Sequence, residues 1–126
     1  MFDIEKYRSV TWQMGGRVWP VLDCYGVVHE VRRDLGLPDW PAFEGVIREG
    51  DTMVKAFAEF STSVQRTAAK EGAVAACYSS GVVDHLGIVV CIDGVLKVLE
   101  SNPGRNVTAL ELSRFERLYT KVEYYE

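Results

Sequence analysis

Three features of this 126-residue chain predict an α+β fold. A helix near the front has its boundaries signalled at both ends, a run of apolar, strand-like segments fills the second half, and Asp93-Gly94 joins two of those segments as a hairpin. Helices first and an antiparallel meander afterwards is an α+β order. The length suits one domain covering residues 1–126. An apolar share of 48% and a charged share of 25% are ordinary for a globular chain.

Taken in order, Gly15-Gly16 and Trp19-Pro20 read as a loop that leads into the first helix. That helix covers roughly 24–35. Its apolar positions Cys24, Val27, Val28, Val31 and Leu35 form one buried stripe, Asp23 is a suitable N-cap, and Gly36 with Pro38 ends it. Residues 38–45 form an irregular, aromatic-bearing segment. From Asp51 to about Lys70 the period of Met53, Val54, Phe57 and Phe60 predicts a second helix, ended by Gly72. Strands follow at about 73–78, 84–92 and 95–101. A short polar helical piece near Leu110–Arg114 and a last strand at 119–125 close the chain. No internal repeat or low-complexity linker interrupts it.

Composition removes several classes of function. A net charge of −4, with the basic residues Arg32-Arg33, Arg48, Arg66, Arg114 and Arg117 scattered, does not suit a nucleic-acid partner. No stretch reaches the ~18 apolar residues of a membrane span. The start, Met1-Phe2-Asp3-Ile4-Glu5-Lys6-Tyr7, does not read as a signal peptide, so synthesis in the cytoplasm is expected. Three cysteines without CxxC spacing and only two histidines predict neither zinc nor another cofactor. Cys77 and Cys91 lie in apolar runs and read as buried small hydrophobes.

Cys24 differs. It opens a helix, where free N–H groups and the helix dipole favour thiolate. His85 stands at the start of a later strand and can serve as its base. A two-residue turn at Asp93-Gly94 sets Ile92 against Val95 and His85 against Asn102. Glu100 then lies diagonally from His85 on the same face, and Ser101 points the other way. The chemistry predicted is acyl transfer. His85 takes the Cys24 proton, sulfur attacks an amide, and the Cys24 backbone N–H steadies the oxyanion. Glu100 or Asn102 orients the imidazole. His29, five residues after Cys24, falls on another side of the helix and reads as a surface residue. Each part also has a plain reading: a core cysteine, a capping aspartate, a surface histidine and a polar turn.

Asp23-Cys24-Tyr25-Gly26-Val27-Val28 resembles the DCxGLV signature of NlpC/P60 cysteine peptidases, and His85-Leu86-Gly87-Ile88-Val89-Val90 resembles their HVGIYL strand. Gly16-Arg17-Val18-Trp19-Pro20, the stretch Arg32–Asp39 and the closing Val122-Glu123-Tyr124-Tyr125 are similar to the phage-tail branch of that family. Residues 41–72 carry no matching motif. The resemblance implies a papain-like fold, with the nucleophile helix packed on an antiparallel sheet. It implies hydrolysis of bacterial cell-wall (peptidoglycan) stem peptides next to D-glutamate and diaminopimelate, without a metal. Tail-associated members are thought to open the wall locally or to join tail-tip assembly, so other phage tail proteins are expected partners. The chain departs from the pattern at the third catalytic position, where the family's histidine is replaced by Lys97 and Val98. Glu100, or else Asn102, is the expected substitute, and Glu100 is favoured because a carboxylate also stabilises imidazolium. No wall-binding module or export signal is expected, so targeting would come from a larger assembly. The competing readings are a tail-assembly component with an idle site, and a papain-like amidase or acyltransferase with another substrate. Tyr25, Trp19, Trp40 and Arg105 are candidate pocket residues, set against their plain reading as core aromatics and a rim arginine.

Overall fold

Asp23 starts the first helix as its chemistry requires. In the computed structural model, which describes residues 2–126, its Oδ1 accepts from the Gly26 N–H at 2.8 Å. Helix α1 spans Cys24–Asp34 and buries Cys24, Val27, Val28 and Val31. Gly36 follows at φ 70°, a conformation that suits glycine after a helix end. Ahead of α1 lie a 3-10 helix, Ile4–Ser9, and two short strands, β1 (Arg17–Val18) and β2 (Val21–Leu22), paired antiparallel. Gly26 is fixed by contact: a Cβ there would collide with the Gly16 carbonyl oxygen.

The second half forms a six-stranded antiparallel sheet, compatible with the predicted α+β class. Its strands are β3 (Arg66–Thr67), β4 (Val74–Ser79), β5 (Val82–Ile92), β6 (Val95–Asn102), β7 (Asn106–Glu111) and β8 (Lys121–Tyr125), in the spatial order β3-β8-β4-β5-β6-β7. Helix α2 (Thr52–Phe60) lies with α1 on one face, over Val74, Ala76, Ile88, Val90 and Leu99. Helix α3 (Leu112–Glu116) covers the other face, where Phe115 packs with Ala75, Cys77, Val89 and Val98. No helix among the described residues is long and apolar enough to cross a membrane.

Several expectations need correction. The second helix stops at Phe60 and passes into a 3-10 turn, Ser61–Ser63, rather than running to Lys70. The hydroxyls of Ser61 and Thr62 bond back to the Ala58 and Glu59 carbonyls, an alternative to helix that these residues offer the backbone. Beyond them Arg66–Thr67 joins the sheet edge. Residues 106–111 form the unexpected strand β7, which delays the polar helix to Leu112–Glu116. Cys77 is buried as expected, but Cys91 is only half-buried, near the outer end of β5. His29 is not on the surface. Its Nε2 meets the Trp40 carbonyl oxygen at 2.9 Å, because the irregular segment after α1 folds back over that side of the helix.

Candidate active site

The β5–β6 hairpin has the predicted register, with Ile92 opposite Val95. The ladder stops at Ile88 and Leu99, however, so residues 85–87 and 100–102 face each other without pairing. On its other side β5 carries a bulge. Cys77 pairs with His85 and Tyr78 with Val83, which leaves Asp84 as the extra residue. Bulges re-aim side chains and interrupt ladders. Together they leave a split, an end of the β5–β6 pair with no backbone ladder, where His85, Glu100 and Asn102 meet.

His85 and Glu100 meet there. His85 Nε2 lies 2.8 Å from Glu100 Oε1, with His85 fully buried and Glu100 only 3% exposed. Glu100 also accepts from Asn102 Nδ2 at 3.0 Å and from the Tyr119 hydroxyl at 3.3 Å. Burial alone would raise the pKa of this carboxyl. The hydrogen bond from His85, imidazole charge, and the bonds from Asn102 and Tyr119 outweigh burial and hold it below the usual carboxylate range. An ionised carboxylate only accepts, so Nε2 must carry the proton it shares with Glu100. In the neutral ring the lone pair therefore sits on Nδ1, which is buried and has no hydrogen-bond partner. Tyr119 stacks on the ring at 5.8 Å and fixes its plane. Asn102 makes no hydrogen bond to His85; it acts one step out, on Glu100.

Cys24 lies on the opposite face of the sheet. It belongs to the core under α1, whereas His85 shares the α3 face with Cys77 and Tyr119. The thiol is fully buried, and its pKa is pushed up to about 11. Burial is the main cause and the Asp23 carboxylate adds to it; hydrogen bonding from the Leu86 and Tyr25 backbone and the charge of Arg48 act the other way. The expected bias toward thiolate is thus overturned at rest, because desolvation exceeds what a helix start supplies. Thiol and imidazole share no hydrogen bond in this state. The Leu86 amide, next to His85 in sequence, is among the groups that act on the Cys24 thiol.

Two arginines that sequence reasoning left unassigned organise the rest. The buried Arg17 Nη1 pairs with Asp23 at 2.6 Å, and its other nitrogens donate to the carbonyls of Ala42, Phe43 and Val46. The Tyr25 hydroxyl adds a bond to the Pro41 carbonyl. This straps residues 41–46 across the start of α1. Arg48 continues the strap over the split. Its Nε donates to the Asp84 carbonyl at 2.9 Å and its Nη1 to Asn102 Oδ1 at 3.1 Å, joining the unpaired ends of β5 and β6. No local pattern signals either role, since both depend on partners distant in sequence.

A groove of about 670 Å³ adjoins this end of the sheet. Trp12, Arg48, Glu100, Asn102, Arg105 and Tyr119 are among its lining residues. Tyr25 and Trp40 instead line a small apolar cavity of about 40 Å³ beneath α2, and Trp19 packs edge-on against Tyr7. Of the four candidate pocket residues, only Arg105 borders the groove. No family model, curated protein or solved structure matches this chain.

Proposed function

We propose that the chain is a papain-like cysteine hydrolase of the NlpC/P60 type, acting on peptide bonds of cell-wall stem peptides as part of a phage or prophage tail. The observation that carries this reading is the buried His85–Glu100 pair at 2.8 Å, which leaves a bare Nδ1 on the strand that adjoins Cys24. In the reaction, Nδ1 takes the thiol proton and sulfur bonds to the scissile carbonyl carbon. The imidazolium, held by Glu100, returns its proton to the departing amine. Water then attacks the thioester and gives a proton to Nδ1; the C–S bond breaks to release the acid, and Nδ1 returns the proton to sulfur. The N–H of Cys24 lies in the first turn of α1, where helix geometry leaves donors free for the oxyanion. Arg48 and Arg105 on the groove suit a peptide that carries free carboxylates.

Incubation with purified stem peptides, followed by mass spectrometry, tests the reading. The parent should release a cleaved peptide and Cys24→Ala none. Cleavage that persists in Cys24→Ala, or no cleavage by the parent at any pH or in assembled tails, defeats it. One observation favours a second reading, an assembly component with an idle site: the resting thiol is sealed from solvent.

A further inference from the structure

We propose that Arg48 is a carboxylate-operated latch, which closes the split over Cys24 and swings aside when an acidic substrate enters the groove. The inference rests on Cys24 being the nucleophile, and it adds the substrate chemistry that would admit a ligand to it.

Four observations carry it. Arg48 spans the place where β5 and β6 stop pairing, bonded to Asp84 on one strand and Asn102 on the other. Both acceptors are neutral, so a guanidinium that favours bidentate carboxylates is held by weaker partners. The same side chain lines the groove, and its positive charge acts on the Cys24 sulfur. The backbone around it is pinned: the Val46 carbonyl is held by Arg17, and the Ile47 N–H and carbonyl are both bonded to the Thr52 hydroxyl. Opening therefore needs only a side-chain rotation, a fast and local motion.

A carboxylate in the groove would take the guanidinium with charge-assisted bonds and release Asp84 and Asn102. The split would then admit the scissile amide and let Cys24 and His85 close on each other. Substrate recognition and uncovering of the nucleophile become one event, which protects the thiol until an acidic peptide arrives.

The test is alkylation of Cys24 by iodoacetamide, resolved from Cys77 and Cys91 by mass spectrometry, over a range of pH. The high-pH plateau reads access. The midpoint reads the charged groups that act on the sulfur, Asp23 and Arg48, and the neighbouring thiol of Cys77. Arg48→Ala should raise the Cys24 plateau about tenfold, the scale of two lost hydrogen bonds, and leave buried Cys77 unreactive. Arg48→Lys, which keeps the charge but lacks the fork, should fall between. Glutarate should accelerate Cys24 in the parent, glutaramide should not, and neither should act on Arg48→Ala. An unchanged plateau in both variants, equal acceleration of Cys77, or a glutarate effect that survives Arg48→Ala would overturn the latch. A plateau that rises in Arg48→Ala while its midpoint ignores a further His85→Ala change would keep the latch and remove the hydrolase reading.

Discussion

The two ends of the β5–β6 hairpin are built on different principles. At the turn end, Asp93-Gly94 closes a regular ladder from Ile92–Val95 to Ile88–Leu99, and backbone hydrogen bonds hold the strands together. At the other end that pairing is absent, and side chains replace it: His85 to Glu100 within the sheet, Arg48 from outside it. A ladder satisfies its own polar groups and leaves no chemistry free. The open end instead keeps a carboxylate ionised, an imidazole nitrogen bare and a thiol beside a backbone amide. Local order is given up where reactive groups are concentrated.

Breaking the open end should therefore cost more than disturbing the turn. Glu100→Ala leaves the buried His85 Nε2–H without an acceptor and should lower stability by roughly 1–3 kcal/mol in urea unfolding, with loss of hydrolysis. Glu100→Gln, which can still accept from Nε2, should lose activity with a smaller stability change. Arg17→Ala strands the buried Asp23 carboxylate and frees the strap, and about 3 kcal/mol is expected. Hydrogen exchange should then rise in residues 41–48 and at the start of α1, but not around Asp93-Gly94.

The pH dependence sharpens the same contrast. Because the folded pKa of Glu100 is depressed, its contribution to stability is complete above the unfolded carboxylate value of about 4.3 and is lost as pH falls through the lower folded value. Parent stability should decline through that acid range, and the decline should be shallower in Glu100→Gln. The smallest effect belongs to the closed end. Gly94 sits at φ 79°, so Gly94→Ala should cost about 1 kcal/mol and leave the alkylation of Cys24 unchanged.

The same division explains what the sequence made legible. Helix α1, its aspartate cap and the hairpin register follow from local rules, and the register alone placed Glu100 beside His85. The early end of the ladder does not, because it depends on the bulge at Asp84 and on an arginine far away in the chain. Strand β7 follows Asn102-Pro103-Gly104-Arg105, which reads in sequence only as a polar turn. The burial of His29 and the strap through Arg17 arise only when residues 38–48 fold over α1. The state of the Cys24 thiol is hidden from sequence for a related reason: a helix start is visible there, but complete desolvation is a tertiary property.

The central claim is that Glu100 fixes His85 with its free lone pair on Nδ1, available to Cys24. The most direct measurement is ¹⁵N NMR of the His85 ring at neutral pH, in the parent and in Cys24→Ala. The account predicts a protonated Nε2, an unprotonated Nδ1, and an Nδ1 signal that moves when the thiol is removed. A proton on Nδ1 with Nε2 bare, or an Nδ1 signal indifferent to Cys24→Ala, would contradict it.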